Sequence, residues 1–322
     1  MSATRRARAV VTRRFLLALP WLVVVASACA APAGRPRVAP RVAPDVETTS
    51  SEAVAVMSFN IRHGRGADGE HVWPNRRAIV QQLVRESGAS LIGLQEVLDF
   101  QLAEMREALP THRAIGVGRD DGVAAGEFAP LLVDTTRFAV VTSGTFWFSD
   151  TPDVPGSMHW GNRITRIASW ARLADRRTGD TLRVYNVHWD HESQPSRERS
   201  ASLLRSRLAG DGSPLDALLV TGDFNAGEDN AAFQALVDSA PRGATARVRL
   251  RDSYRVRYPD ARVVGTFNAF RGDSTGDKID AILIDPLWHV ETATIDRTRV
   301  GSLWPSDHFP VTARLWRTRA IP

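Results

Sequence analysis

A single cysteine, Cys29, occurs in 322 residues, so no disulfide within the chain can brace the fold. Stability has to come from burial, and 43% apolar against 24% charged residues is ordinary for a soluble globular chain. That composition also excludes a disordered, collagen-like or polytopic membrane chain. No apolar run reaches the roughly 20 residues of a spanning helix; Phe15 to Val25 is about half that. A charge excess is missing from the body as well. The net charge of +5 suggests a polyanion partner until its source is located. Arg5, Arg6, Arg8, Arg13 and Arg14 stand in the first 28 residues, which hold no acid, and without these five the basic and acidic residues are equal in number. A balanced body gives no electrostatic argument for a polyanion partner; only a local basic patch would supply one.

What the N-terminus has is the layout of an export signal: arginines, the apolar run Phe15 to Val25, then the small residues before Cys29. Pro20 and the lack of a polar face argue against a buried helix. Thr12-Arg13-Arg14-Phe15-Leu16-Leu17 looks like a twin-arginine signal. Ala26-Ser27-Ala28-Cys29 resembles a loose bacterial lipobox with Ala26 in the usual Leu position, so lipid attachment at Cys29 and plain signal cleavage both stay open. We expect an export signal over residues 1–30 and a protein that is secreted or lipid-anchored at the cell surface. Residues 31–52, rich in Pro and Ala and carrying the doublet Arg37-Val-Ala-Pro and Arg41-Val-Ala-Pro, read as a semi-extended tether.

From residue 53 to 317 no second low-complexity break occurs, which predicts one domain. Val54 to Ile61 and Leu91 to Val97 read as buried strands, with helices from Asn75 to Ser87 and from Asp99 to Leu109. Leu131 to Val133, Phe138 to Val141, Thr145 to Phe148, Arg166 to Ala174 and Thr181 to His188 read as consecutive antiparallel strands. Helices near Arg197 to Leu208 and Asn230 to Asp238, and strands at Ala217 to Thr221, Ile279 to Ile284 and Phe309 to Leu315, complete the series. The pattern predicts an α/β fold of two packed sheets covered by helices.

Polar residues recur where the apolar strands end: Asn60, Glu96, His188, Asp223 with Asn225, Asp280, and Asp307-His308. Each has a bland reading alone: Gly222-Asp223-Phe-Asn225 as an Asx turn, Glu96 as a solvated strand end, Asp307-His308 as a turn. Gathered at one end of shared sheets, however, so many carboxylates would be costly to bury without a cation. Oxygen-rich ligation favours magnesium or manganese.

Ser58-Phe-Asn60-Ile, Leu94-Gln-Glu96-Val, Asn186-Val-His188, Gly222-Asp223-Phe-Asn225, Ile279-Asp280-Ala-Ile-Leu and Ser306-Asp307-His308-Phe-Pro-Val, in this order, resemble the endonuclease/exonuclease/phosphatase superfamily over residues 54–316. The stretch Gly144-Thr-Phe-Trp-Phe-Ser-Asp-Thr-Pro-Asp-Val-Pro-Gly is similar to exported bacterial members of uncertain substrate. The resemblance implies a four-layer α/β sandwich of the deoxyribonuclease I kind, with two packed mixed or antiparallel sheets. It implies Glu96 as main metal ligand, with Asn60 and Asp307 supporting one or two Mg2+ or Mn2+ ions. Asp223 and Asn225 would position water and phosphate, with Asp223 as alternative base. His308, oriented by Asp280, would act on the water or bind phosphoryl oxygens, and His188 would touch the phosphate or aid the leaving group. The implied activity is hydrolysis of phosphodiesters or phosphomonoesters from nucleic acid, lipid headgroups or sugar phosphates, and no obligate protein partner is evident.

Four further readings remain. Gly64-Arg-Gly66-Ala-Asp-Gly69 mimics a dinucleotide fingerprint, but Trp73-Pro74-Asn75 separates it from the helix, so it reads as a loop near the site. His188-Trp-Asp190-His191 invites a zinc-hydrolase comparison that Asn186 in the first histidine position weakens. Arg166, Trp189, Asp190 and His191 are candidate substrate contacts, Trp189 by stacking and Arg163 or Arg166 by gripping phosphate. A catalytically silent binding protein would have lost one of Glu96, Asp223, Asp280, Asp307 and His308, and all five are present. A headgroup-specific phospholipase C or sphingomyelinase-like enzyme would need an exposed aromatic hairpin, for which Thr145 to Trp160 is the candidate.

Overall fold

The computed structural model describes residues 53–210, 213, 216–237 and 248–317; the expected export signal over residues 1–30, Cys29 and the expected tether over 31–52 lie outside them. In chain order the elements are β1 (Val54–Asn60), α1 (Trp73–Glu86), β2 (Leu91–Gln95), α2 (Asp99–Ala108), β3 (His112–Ile115), β4 (Leu131–Asp134), β5 (Phe138–Trp147), β6 (Ile167–Asp175) and β7 (Thr181–His188). There follow α3 (Gln194–Gly210), β8 (Ala217–Asp223), α4 (Ala231–Val237), β9 (Arg251–Asp252), α5 (Ser253–Arg257), β10 (Asp280–Ile284), β11 (Trp288–Ile295) and β12 (Val311–Arg317).

Two six-stranded mixed sheets result, ordered β11-β12-β1-β2-β4-β3 and β5-β6-β7-β8-β10-β9. The parallel pairs are β1 with β2 and β7 with β8. The two-residue period of a strand explains the layers. On β1, Val54 and Val56 face the other sheet, where they meet Val184, Leu219 and Ile282. Met57 and Phe59, on the opposite face, pack under α1 and α2 against Val80, Leu83 and Met105. The second sheet does the same: Tyr185, Val187, Val220 and Leu283 pack beneath Leu204, Leu208 and Phe233 of α3 and α4. The order is helix, sheet, sheet, helix, the four-layer sandwich expected from the sequence.

Three expectations need correction. Phe138 to Val141 and Thr145 to Phe148 are one strand, β5, bent by a register shift between Val140 and Thr142; a bulge of this kind breaks the alternation that marks a single strand. Leu131 to Val133 pairs with β2 and β3 in the first sheet, not with the meander that follows it. Helix α1 begins at Trp73 rather than at Asn75, with Pro74 in the first turn, where its missing N–H has no partner to lose. The short strand β3 and the strand β11 went unread.

Along the face between the sheets each strand runs from apolar to polar in steps of two. Val56, Ser58 and Asn60 succeed one another on β1, Val184, Asn186 and His188 on β7, and Leu219, Thr221 and Asp223 on β8. The middle step is a buried seam between the sheets. Asn186 accepts from Gln95 Nε2 at 2.7 Å and Thr221 Oγ1 at 3.0 Å, and donates to the carbonyls of Leu94 at 2.7 Å and Pro130 at 3.1 Å. Gly93 lies under this seam, where a Cβ would stand 2.0 Å from Thr221 Oγ1 and 2.4 Å from Asn186 Oδ1. Asn186→Ala leaves several buried groups unpaired and is expected to cost about 3 kcal/mol of stability, since each orphaned group costs roughly 1–3 kcal/mol. Urea unfolding checks this; a loss below about 1 kcal/mol would show that the seam does not hold the sheets together.

Candidate active site

The third step of these strands delivers the chemistry. Asn60, His188, Asp223 and Asp280 all stand on the inter-sheet face at one end, with His188 opposite Asp223 on parallel strands and Asp280 opposite Asp223 on antiparallel ones. Asp307 and His308 arrive on the loop before β12, which Arg76 ties down. Its buried guanidinium donates to the carbonyls of Ile61, Arg62, His71 and Pro305, so it links the loop after β1 to the loop carrying Asp307. Arg62, Glu96 and Asn225 hold φ of 56°, 58° and 47°. Left-handed backbone costs a non-glycine residue on the order of 1 kcal/mol, and residues held in this region cluster at functional sites.

Asp223, Asp280 and His308 place ligand atoms within 4.8 Å of one another, fully enclosed. His308 Nδ1 donates to Asp280 Oδ2 at 2.9 Å, and its Nε2 lies 3.8 Å from Asp223 Oδ2. Burial alone would disfavour the imidazolium, but Asp280 and Asp223 outweigh it and raise the His308 pKa well above the ordinary 6.5. Asp223 responds oppositely: burial and then the Asp280 charge push its carboxyl up to about 7, against the opposing effects of His308 and of the hydrogen bonds from Asn60 and Asn225. Asn60 Nδ2 reaches Asp223 Oδ2 at 3.0 Å and Glu96 Oε1 at 3.1 Å, bridging the two carboxylates.

Burial pushes the Glu96 carboxyl up, but His308, Asn60 and Arg62 together hold it below its ordinary range. Asp307 is raised by burial, with Glu96 adding repulsion. Arg62, which the sequence reading missed, lies 3.7 Å from Glu96 and 3.9 Å from Asp307 and pairs with Asp68 of the glycine-rich loop at 3.0 Å. The donors Glu96, Asp307 and Asn60 are all oxygen-bearing, and Asp307 remains incompletely neutralised by neighbouring cations. This chemistry fits a hard divalent cation.

His188 meets a cation. Arg166 Nη1 donates to His188 Nε2 at 2.9 Å, which keeps that nitrogen unprotonated, and Nη2 donates to His191 Nδ1 at 2.7 Å. Burial and the charges of Arg166 and Arg119 hold His188 far below the ordinary 6.5. Asp190 sits 3.6 Å behind Arg166 and accepts from the backbone of Glu192 and Ser193, so it buttresses Arg166 rather than His188. Trp189 corrects an expectation: with His188 facing the sheets, the period of two turns its neighbour into the helix-covered core, fully buried and edge-on to Phe224 at 5.0 Å. No ring face is open for stacking. Asn225 donates its amide to the Trp189 carbonyl and its backbone N–H to Asp223 Oδ1, both at 2.9 Å, so it orients Asp223. Arg163 is solvated beside Glu192. In the stretch 145–160 Phe146, Trp147 and Phe148 are buried, Trp160 is partly buried with its Nε1 donating to Asp150, and Val154 and Met158 are the exposed large hydrophobics.

Glu96, Arg166, His188, Asp223, Asp307 and His308 line a cleft of about 520 Å³ together with His63, Arg119, Glu127, Ile164 and Phe267, none of which the sequence reading singled out. No short motif marked them. The usable signal was Arg119 and Glu127, opposite charges eight positions apart in a glycine-rich loop, which pair at 2.6 Å.

The chain is similar to known proteins over most of its body. A model of the Endonuclease/Exonuclease/phosphatase family matches residues 57–308. A solved Bacteroides vulgatus member of that family is 32% identical, covering 83% of this chain and 99% of its own, with a TM-score of 0.75. A mannosyl-6-phosphatase from Bacteroides thetaiotaomicron is 33% identical, covering 81% and 99%, with a TM-score of 0.72. An uncharacterized mimivirus protein, L388 of Acanthamoeba polyphaga mimivirus, is 26% identical over 56% of this chain and 70% of its own length.

With divalent cations chelated, Asp223→Asn is expected to be more stable than the parent at pH 8, by about 1 kcal/mol or roughly 2–4 °C in Tm. The folded chain holds the Asp223 proton more tightly than the unfolded chain does, so ionisation costs folding free energy. That cost is absent below the ordinary 3.8, grows as pH rises, and is complete above about 7. Thermal scans from pH 4 to 8 should show the gap opening upward; a gap that opens as pH falls would contradict the raised pKa.

Proposed function

Since the chain belongs to the endonuclease/exonuclease/phosphatase family, we propose that it is a divalent-metal-dependent phosphoester hydrolase acting outside the cytoplasm, with phosphomonoesters of small alcohols, sugar phosphates foremost, as substrates. One observation carries the reading: Glu96, Asp223, Asp307 and His308 line one cleft of small-molecule size, with Asn60 buried behind them and bonded to Glu96 and Asp223. The resemblance to a mannosyl-6-phosphatase favours the monoester, and the arginine-rich apolar N-terminus motivates the extracellular assignment.

The chain's own groups suit direct water attack on phosphorus, with no covalent enzyme intermediate. Asp223, with a pKa near the working pH, is matched to accept the proton of an attacking water. Asn60 and Asn225 fix its two oxygens. His308, held by Asp280 and kept protonated, presents Nε2 as a cationic donor for a phosphoryl oxygen. Arg166 supplies a second fixed positive charge, and ring nitrogens of His188 and His191 hold its fork in place. Glu96, Asp307 and Asn60 would hold magnesium or manganese, which polarises a phosphoryl oxygen and offsets developing charge when bound.

Purified protein should hydrolyse p-nitrophenyl phosphate faster than bis(p-nitrophenyl) phosphate with magnesium or manganese. EDTA should abolish turnover, and His308→Ala should lower kcat by about 10²–10⁴-fold. Faster cleavage of the diester would move the assignment to nuclease or lipase-like chemistry, and absence of turnover with both metals would leave a silent scaffold.

A further inference from the structure

Resting on the monoester reading above, we infer that the Arg119–Glu127 pair recognises the leaving group and selects polyhydroxylated alcohols, that is, the phosphates of sugars and polyols. The pair sits on the loop between β3 and β4. Two residues suffice to join neighbouring antiparallel strands, yet this connection runs from residue 116 to 130. It is internally bonded rather than slack. Gly118 N–H donates to the Val123 carbonyl at 3.1 Å, Arg119 N–H to Glu127 at 3.1 Å and Asp120 N–H to Ala125 at 3.0 Å. The Asp121 carboxylate accepts from three successive backbone N–H groups, those of Val123, Ala124 and Ala125. The second sheet holds the loop from outside, through Trp147 Nε1 on the Arg119 carbonyl and Thr165 Oγ1 on Asp120, each at 2.6 Å. An isolated bridge between Val97 and Phe128 closes the other side.

Such a braced loop can place a side chain with the fixity that specificity needs. It sets Glu127 in the cleft with carboxylate oxygen, Glu96 oxygen and His63 ring nitrogen within 4.8 Å of one another, beside the reacting centre. Arg119 Nη1 meets Glu127 Oε2 at 2.6 Å, and Arg119 Nε has no hydrogen-bond partner among the described residues. The pair is neutral overall, so it adds no attraction for a phosphoryl group and none for the second phosphate of a polynucleotide. Burial pushes the Glu127 carboxyl up, with Arg119 opposing it, as expected for a carboxylate kept away from water.

What a carboxylate beside a guanidinium does offer is an acceptor and several donors side by side. Adjacent hydroxyls, each donor and acceptor at once, match that array, whereas an acyl chain or a bare aryl group leaves it unpaired. A site built to hydrogen-bond substrate hydroxyls rejects analogues lacking them far more strongly than an apolar pocket rejects an extra methylene. The charged wall therefore selects for polyols.

The test compares the parent with Glu127→Gln and Arg119→Gln on the best of a panel of hexose 6-phosphates and on p-nitrophenyl phosphate, which has no hydroxyl. Thermal scans establish folding of each variant. The expected result is a fall of about 30-fold or more in the ratio of kcat/KM on the sugar phosphate to kcat/KM on the aryl phosphate, arising mainly in KM, with the magnesium activation constant unchanged. An unchanged ratio overturns the inference, and a raised magnesium requirement at constant ratio reassigns Glu127 to the cation. A parent that turns over neither ester defeats the hydrolase reading instead. Calorimetry with a hexose 6-phosphate and with inorganic phosphate then decides the wall alone: preference for the sugar phosphate, lost in Glu127→Gln, supports it, and equal binding overturns it.

Discussion

Two carboxylates face each other on neighbouring strands, Asp223 on β8 and Asp280 on β10, both buried, Asp223 at the floor of the cleft. Nothing in strand pairing favours this, because like charges directly opposite are destabilising and burial amplifies the repulsion. The surroundings are organised around relieving it. His308 lies against both, Asn60 and Asn225 donate to Asp223, and Lys278, the only lysine in the chain, is buried with its ammonium on Asp252 and the Asp280 carbonyl. The compensation is partial for Asp223, and this incompleteness leaves a carboxylate that titrates near neutrality. A fully satisfied ion pair would be more stable and chemically inert.

The same division of labour continues outward. A polar seam of Gln95, Asn186 and Thr221 separates the apolar sandwich from the charged end, so the sheets stay in register up to the acids, amides and histidines at the strand ends. Beyond it, positive charge is supplied by arginine, Arg166 held on two histidine ring nitrogens and backed by Asp190, and Arg76 on four carbonyls. Guanidinium suits this use because it keeps its charge when buried and presents donors in a fixed fork. The cleft thus carries cations whose positions are set before any anion arrives, the preorganisation that electrostatic stabilisation requires.

The residues on strand ends were legible in the linear chain because the strand period and the layer order leave little freedom. Once Val56, Val184 and Leu219 are assigned to the inter-sheet face, Asn60, His188 and Asp223 must follow on it. The same rule, applied one residue further, would have removed Trp189 from the candidate contacts, since it alternates into the core beneath the helices. Less legible were Arg62, His63, Arg119 and Glu127, which lie in loops where no period constrains the side chain. The bulge in β5 likewise hid one strand as two.

Hydrophobic alternation and the polar residues ending each apolar run determined two packed sheets covered by helices and the group of acids, amides and histidines at their strand ends, because burial of a strand face is a local property of its sequence; the four-layer sandwich came from the family resemblance. Only the tertiary structure decided how charge is shared within that group. Which imidazole is protonated, which arginine reaches which carboxylate, and that a long loop delivers Arg119 and Glu127 into the cleft all depend on distances between segments far apart in the chain. Electrostatic interactions at those distances, among largely buried groups, have no counterpart in local pattern.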